Sequence, residues 1–212
     1  MTNSLTWKEV KSETFPYQIV LGSSSFGRKK VLKQNKINFI QYIPDIDEKA
    51  VGKTERHLKP DPIKLTNLIA KAKSQKVLNL IKEEKKDLSQ LNYLVICSDQ
   101  VVSYNGTIRE KPESVEECKS MLKVTVTSVV VVNTRNGKEA EGYDIAKQYF
   151  NPIPDNVVDI AIKNGDILNC AGGFIIDEEV FYPYLSERVG DESSILGLPL
   201  DLTIDLINKV IC

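Results

Sequence analysis

The chain has 212 residues, of which 42% are hydrophobic and 27% charged, values that suit a globular protein with a sizeable core. Its 28 Lys and Arg balance 29 Asp and Glu, so the net charge of −1 argues against a nucleic-acid partner. No apolar run approaches the ~20 residues of a membrane span. The N-terminus is polar and predicts no secretory signal, and the four cysteines form no C-x-x-C pair. These features predict a cytoplasmic protein with reduced thiols and no membrane partner.

The first predicted elements are a strand, a turn and a helix. A short apolar strand ends at a glycine and three serines, and Arg28 and Lys29 fall in the first turns of the helix that follows. Serine is a preferred helix N-cap, whereas cations at a helix N-terminus oppose the macrodipole. An anion held by backbone N–H groups, serine hydroxyls and the two cations would remove this conflict. The segment therefore predicts a phosphate-binding cradle, with a capped helix and a solvated basic face as the alternative.

The rest of the chain predicts strands that alternate with helices. Strands are expected near residues 37–43, 93–97, 101–104, 107–108, 124–134 and 139–149, and helices near 60–86, 114–122, 154–164 and 199–210. Two of these strands are joined by an Asn-Gly turn, which is typical of an antiparallel hairpin. We therefore expect one α/β domain over residues 1–212, built on a mixed sheet flanked by helices.

Polar residues that follow the buried 93–97 strand form a candidate site. Ligands of open α/β sheets bind at the carboxyl ends of strands, and the polar run Ser98-Asp99-Gln100 directly follows this strand, with a carboxylate at its centre in Asp99. Its carboxylate is a candidate general base or metal ligand, or else a cap of the next turn. The hairpin beyond it would return Lys111 towards Asp99, although a surface lysine before a proline is the commoner situation. The glycine-containing loops at 169–174 and 197–200 would permit close backbone approach to a ligand or a strand.

These segments together resemble the Maf family of nucleotide pyrophosphatases, which is related in fold to the inosine triphosphatases. The matching motifs are Leu-Gly-Ser-Ser-Ser-Phe-Gly-Arg-Lys at 21–29, the acidic loop residue Glu48, Ile-Ala-Lys-Ala-Lys-Ser at 69–74, Asp-Gln-Val-Val at 99–102 with Lys111-Pro112, Ala-Gly-Gly-Phe at 171–174 and Gly-Leu-Pro-Leu at 197–200. They span about residues 19–210 and make Lys73, rather than Lys71, the family lysine. The resemblance implies an elongated mixed sheet, with two lobes around a central cleft.

The same resemblance implies hydrolysis of a nucleoside triphosphate between its α- and β-phosphates. Arg28, Lys73 and Lys111 would neutralise the triphosphate and the charge that develops on the leaving pyrophosphate. The phosphate-binding residues implied are Ser23, Ser25, Arg28 and Lys29. Glu48 and Asp99 would hold Mg²⁺ or Mn²⁺ against phosphate oxygens, and Asp99 would activate the attacking water. Family members are often dimers, so the resemblance allows a homodimer.

The expected substrate is 7-methyl-GTP. Family members that favour dTTP and UTP carry Arg at the position of Gly27, Thr at Gln100 and Gln near Asp177, and this chain departs from all three. A carboxylate such as Asp177 or Glu178 would accept the guanine N–H groups and attract the positive charge of a 7-methylated base. The glycine at position 27 predicts a looser cradle. The alternatives are a pyrimidine or inosine triphosphate, or a non-catalytic nucleotide-binding regulator of cell division.

Overall fold

A single mixed sheet with helices on both faces organises the molecule. The computed structural model describes residues 4–58, 60–85, 87–104, 107–109, 123–163 and 179–212. Its strands are β1 (Gln18–Gly22), β2 (Phe39–Tyr42), β3 (Tyr93–Tyr104), β4 (Thr107–Arg109), β5 (Lys123–Asn133), β6 (Glu139–Phe150) and β7 (Leu185–Val189). Its helices are α1 (Trp7–Val10), α2 (Phe26–Gln34), α3 (Pro62–Lys85), α4 (Asp155–Lys163), α5 (Glu192–Ile195) and α6 (Leu200–Ile211). Short helical turns lie at Thr54–Leu58, Leu88–Gln90 and Glu179–Tyr184.

The strands run in the order β2-β1-β3-β5-β6-β7, and β4 pairs with the far end of β3. The pairs of β1 with β2 and with β3 are parallel, whereas all the others are antiparallel. The predicted mixed α/β sheet is thereby confirmed. The predicted long hairpin is also confirmed, because β5 and β6 pair from Lys123–Gln148 to Val132–Glu139.

Alternating side chains along the central strands build a separate core on each face of the sheet. Ile96 and the paired Val131 pack with residues of α2 and α6. Cys97 and the paired Val130 point the other way and pack with residues of α3. Because both faces are covered there, β3 is apolar on both faces over residues 94–97 and β5 over residues 129–132, rather than alternately polar. This explains the continuous apolar run that marked β3 in the sequence.

The expected end of the central strand at residue 97 is wrong. β3 continues to Tyr104 because β5 pairs with it from Leu94 as far as Ser103. Its parallel partner β1, in contrast, pairs with it only as far as Ile96. Asp99 therefore lies inside a strand, but just past the point where the neighbouring parallel strand stops. A site can still form there, because the chain turns away from the sheet after β1 and no longer pairs with β3 beyond Ile96.

Several short elements were not predicted from the sequence, among them α1, α5 and β7. The helix predicted at 114–122 and the turn predicted at 105–106 lie outside the described residues. The predicted helices at 60–86, 154–164 and 199–210 are confirmed as α3, α4 and α6. Within the part of the chain that the structure describes, no helix has both the length and the apolar character that a bilayer crossing demands.

Candidate functional site

The residues of the predicted phosphate cradle meet in the turn between β1 and α2. The Ser25 hydroxyl caps α2 by accepting from the Arg28 backbone N–H at 3.5 Å, and the Ser25 N–H donates to Ser23 Oγ at 3.1 Å. The Arg28 side chain turns back to the same hydroxyl, with Nη1 at 3.1 Å from Ser23 Oγ. Gln41 of β2 donates through Nε2 to the Ser23 carbonyl at 2.6 Å. Three residues predicted to bind phosphate thus lie together, and β2 helps to hold the turn.

A second contact fixes Arg28 from the opposite side. Its Nε donates to the Gly197 carbonyl oxygen at 3.0 Å, and Ser98 Oγ donates to the same oxygen at 2.9 Å. Gly197 has a φ of +92°, in the region that favours glycine. The backbone of the 197–200 loop therefore approaches β3 closely, as predicted. It brings a carbonyl oxygen, rather than a side chain, to the arginine.

The expectation of a loose cradle at Gly27 is wrong. A Cβ built on Gly27 would lie 2.7 Å from the Leu196 carbonyl oxygen, which is closer than real Cβ contacts come. The turn after α5 packs directly against the first turn of α2 and fills the space that a side chain would need. The glycine therefore permits a close approach of two backbones.

Beside the cradle, a lysine lies between two carboxylates. Lys73 Nζ of α3 is 2.6 Å from Asp99 Oδ1 and 2.9 Å from Glu48 Oε1. The side chains of Lys73 and Asp99 are both only 7% exposed, whereas that of Glu48 is 42% exposed. Lys71, two residues earlier, pairs instead with Glu141 on β6. The choice of Lys73 over Lys71 agrees with this burial, because Lys73 alone reaches the candidate site.

Burial and neighbouring charges set the electrostatics of the cluster. Burial raises the pKa of Asp99 above its usual value, and the positive charges of Lys73 and Arg28 oppose this change. Burial lowers the pKa of Arg28, and attraction to Asp99 and Glu48 opposes it. Burial also raises the pKa of Cys97 to about 12, so its thiol stays protonated at neutral pH. The cluster consists of two cations and two carboxylates, so its formal net charge is zero: Arg28, Lys73, Glu48 and Asp99. A polyanionic ligand would therefore need further cations to neutralise its charge.

The carboxylates suit a divalent cation only in combination with a ligand. Among the described residues, no group of three or more His, Cys, Asp or Glu side chains could hold a metal ion alone. Glu48 and Asp99 nevertheless converge on one cation, the Lys73 ammonium. Mg²⁺ typically uses one or two carboxylates, and it completes its shell with water and substrate phosphates. The residues present therefore fit a metal that arrives with a phosphate-bearing ligand.

The remaining predicted site residues have different positions. Lys29 is half-buried and, with Lys33 and Lys36, lines a basic groove between α2 and β2. Gln100 donates through Nε2 to the Ser194 carbonyl oxygen at 2.7 Å and thereby ties β3 to α5. Lys111, Asp177, Glu178 and the 169–174 loop lie outside the described residues.

Of the side chains that build the site, that of Gln41 was not singled out from the sequence, whereas Ser98 was noted with Asp99 and Gln100 as one polar run. Gln41 lies within a weakly apolar strand and carries no motif, so no signal marked its contact with the cradle. Ser98 adjoins Asp99 on the same strand, and alternation along a strand directs the two side chains to opposite faces. That alternation was available in the sequence, but only the packing shows that Ser98 lies on the face of α2 and Asp99 on the face of α3.

This arrangement is typical of an α/β protein that binds a phosphate-bearing ligand where a parallel strand pair ends. A family model described as Maf-like protein matches residues 18–210, and the chain belongs to this family. It is 44% identical over 199 residues to the "7-methyl-GTP pyrophosphatase" of Dictyostelium discoideum, covering 91% of this chain and 96% of that protein.

More distant relatives carry related names. The chain is 29% identical over 197 residues to the "dTTP/UTP pyrophosphatase" of Thermotoga petrophila, covering 87% of this chain and 85% of that protein. It is 26% identical over 204 residues to the "Nucleoside triphosphate pyrophosphatase" of Mycobacterium ulcerans, covering 91% and 92%. The predicted family is therefore confirmed, and the named activities of these relatives agree with the predicted reaction class.

Proposed function

We propose that this Maf-like protein hydrolyses a nucleoside triphosphate between its α- and β-phosphates, releasing a monophosphate and pyrophosphate. The observation that carries the proposal is the buried Lys73 ammonium, which bridges Glu48 and Asp99 beside the cradle of Ser23 and Arg28. Buried cations next to a buried carboxylate supply the two things that this hydrolysis requires. They stabilise charge on the phosphates, and the carboxylate is a base for water.

Each residue of the cluster has a defined task in this proposal. Arg28 and Lys73 neutralise phosphate oxygens and the charge that develops on the leaving pyrophosphate. The Asp99 carboxylate takes a proton from the attacking water, whose oxygen bonds to one phosphorus of the α–β bridge while the bridging P–O bond breaks. Lys111 is proposed as a third cation, on the strength of the family motif alone. Ser25 completes the phosphate contacts in the cradle, and Lys29, which lines the neighbouring groove, is assigned to them from its place in the sequence motif.

A divalent cation, Mg²⁺ or Mn²⁺, is part of the proposal. Glu48 and Asp99 would hold it, and it would neutralise phosphate charge that the balanced protein cluster cannot. In a Glu48→Gln variant, we expect the metal concentration for half-maximal rate to rise about tenfold, because one charged ligand is lost. Asp45→Asn is the matched control, since Asp45 is exposed in the same loop. An equal rise in both variants would exclude a ligand role for Glu48.

The proposed substrate is 7-methyl-GTP. The relative with that name is 44% identical, whereas a relative named for dTTP and UTP is 29% identical. The departures at Gly27 and Gln100 from the pyrimidine pattern support the same choice. Asp177 is proposed to read the methylated base, with its neighbour Glu178 as the alternative. Asp177→Asn and Glu178→Gln, with the exposed Glu179→Gln as control, would identify the reader by loss of preference for 7-methyl-GTP over GTP.

The proposal is tested by pyrophosphate release with Mg²⁺ from 7-methyl-GTP, dTTP, UTP, CTP, GTP and ITP. We expect kcat/KM to be at least about tenfold higher for 7-methyl-GTP than for the others, since one charged contact discriminates by about that factor. The Asp99→Asn variant, which lacks the proposed base, gives the background rate of pyrophosphate release. Preference for a pyrimidine or for ITP would overturn the specificity but not the reaction. Nucleotide binding without pyrophosphate release would instead favour the non-catalytic regulator.

The proposal also covers the cellular location and the oligomeric state of the protein. We place the protein in the cytoplasm because its described cysteines, Cys97 and Cys212, are free thiols, as is usual in a reducing compartment. A homodimer is proposed from the family resemblance. Light scattering of the purified chain would decide between monomer and dimer.

A further inference from the structure

Ser98 is a fully buried polar residue that the proposed reaction leaves without a task. It lies on β3 next to Asp99, but its side chain points to the opposite face of the sheet, towards the turn that follows α5. Its hydroxyl donates to the Gly197 carbonyl oxygen at 2.9 Å. A buried hydroxyl needs a hydrogen-bond partner. The Ser98 hydroxyl shares its acceptor with Arg28, whose Nε donates to the same oxygen at 3.0 Å.

Two donors on one carbonyl fix its direction more firmly than one. A carbonyl oxygen offers two lone pairs, and Ser98 and Arg28 occupy both. A further contact holds the arginine at Ser23, whose hydroxyl accepts from Arg28 Nη1. Among the described residues, these contacts hold Nε and Nη1 from two sides of the guanidinium and leave the Nη2 N–H groups for a ligand. A guanidinium is planar, so fixing Nε and Nη1 also sets the direction of Nη2.

We propose that Ser98 is a positioning residue, which orients the Arg28 guanidinium towards substrate phosphate by holding the Gly197 carbonyl. Ser98 itself touches neither phosphate nor water in this role. Without its hydroxyl, the carbonyl keeps only Arg28 as a donor and gains freedom to rotate, so the arginine is held less firmly. The proposal rests on the proposed phosphate-binding role of Arg28.

The first test is kinetic. Ser98→Ala should lower kcat/KM for 7-methyl-GTP about fivefold, the usual effect of one hydrogen bond, and mostly through kcat. Ser194→Ala is the matched control, because Ser194 is equally buried and its Oγ has no hydrogen-bond partner within the described chain. We expect this control to stay within twofold of wild type. An equal loss in both variants would overturn the proposal and indicate a packing effect.

A double-mutant cycle separates positioning from general stability. Arg28→Lys removes the Nε group that meets the Gly197 carbonyl, so Ser98→Ala should cost less than twofold in that background. A fivefold loss in both backgrounds would show that Ser98 acts independently of Arg28, which would overturn the proposal. Circular dichroism confirms that each variant is folded before it is assayed.

The second test does not depend on activity. The Arg28 Nε–H signal in ¹⁵N spectra, assigned by its loss in Arg28→Lys, should exchange with water at least about fivefold faster in Ser98→Ala, since the hydrogen bond that protects it is weakened. Ser194→Ala should leave the exchange rate within twofold of wild type. An unchanged rate in Ser98→Ala would overturn the positioning role. A wild-type protein that releases no pyrophosphate would instead refute the proposed function, while the exchange result would stand.

Discussion

Lys73 and Lys71 differ by two positions on one helix and have opposite surroundings. Lys73 is 7% exposed between Asp99 and Glu48, whereas Lys71 is 42% exposed and pairs with Glu141. In a helix, residues two positions apart point in different directions, so only one of the two can reach β3. The neighbouring lysine is therefore a control that the chain itself provides.

Replacing Lys73 by Met should lower kcat/KM about 10²-fold or more, because a buried charged donor to the phosphates is lost. It should also destabilise the fold by about 3 kcal/mol, since Asp99 remains buried without its partner. Lys71→Met should change kcat/KM less than twofold. Pyrophosphate release and urea unfolding measure both effects. Equal losses in the two variants would exclude Lys73 from the site.

Asp99 should govern the acid side of the pH–rate profile. Burial raises its pKa above 3.8, the usual value, and only the deprotonated carboxylate can accept a proton from water. The logarithm of kcat/KM should therefore fall as the pH decreases through that raised pKa, at a pH at which the protein is still folded. The residual activity of Asp99→Asn should lack this decrease. An identical acid limb in the variant would assign it to another group.

At the scale of elements, the turn between α5 and α6 is the part that organises the cradle. It brings the Leu196 and Gly197 carbonyls against α2, and Ser98 anchors it to β3, while Gln100 ties the preceding α5 to the same strand. No single element contains the site, since α2, α3, β3 and this turn each contribute one part. A change in the turn should therefore reach activity, although the turn holds none of the proposed catalytic side chains.

Gly197→Ala tests the role of the turn, with Gly137→Ala as control. Both glycines have positive φ, at +92° and +71°, so alanine should cost about 1–2 kcal/mol of stability at either position. A Cβ on Gly197 would also lie 3.3 Å from Arg28 Nε, whereas one on Gly137 meets nothing within 4 Å. Only Gly197→Ala should lower kcat/KM, by about tenfold, since it displaces the arginine. Thermal unfolding and pyrophosphate release together distinguish the two effects.

On the scale of the whole molecule, the site joins both faces of the sheet. Arg28 belongs to the face covered by α2 and α6, and Lys73 to the face covered by α3. A ligand that contacts both cations therefore connects elements that otherwise meet only through the sheet. Its binding should be visible as a change in the stability of the entire chain.

Nucleotide binding should raise the melting temperature even without turnover. At a concentration 100 times Kd, 7-methyl-GTP should add about 2.7 kcal/mol to the free energy of unfolding, or roughly 5–10 °C for a domain of this size. The measurement is made in EDTA, so that hydrolysis does not remove the ligand. Lys73→Met should show a much smaller shift than Lys71→Met. Equal shifts would place the nucleotide away from Lys73.

The elements with strong periodicity were accessible from the sequence alone. The β5–β6 hairpin followed from valine-rich strands around an Asn-Gly turn, and α3 and α6 from apolar residues at helical spacing. The cradle followed from the serines before Arg28, and the family motifs selected Lys73. In each case the signal is local, because neighbours within a few residues decide capping, turn type and the buried face.

Other features depended on contacts between distant residues. The length of β3 was set by its pairing with β5, and the tight fit at Gly27 was set by a turn 169 residues away that also supplies the carbonyl for Arg28. Short elements such as β7 form only because a partner strand is present. The sequence by itself determined the family, and its motifs and local pattern singled out the side chains to which the proposed chemistry is assigned. The tertiary structure alone decided their orientation and burial, because both depend on packing between segments that are far apart in the chain.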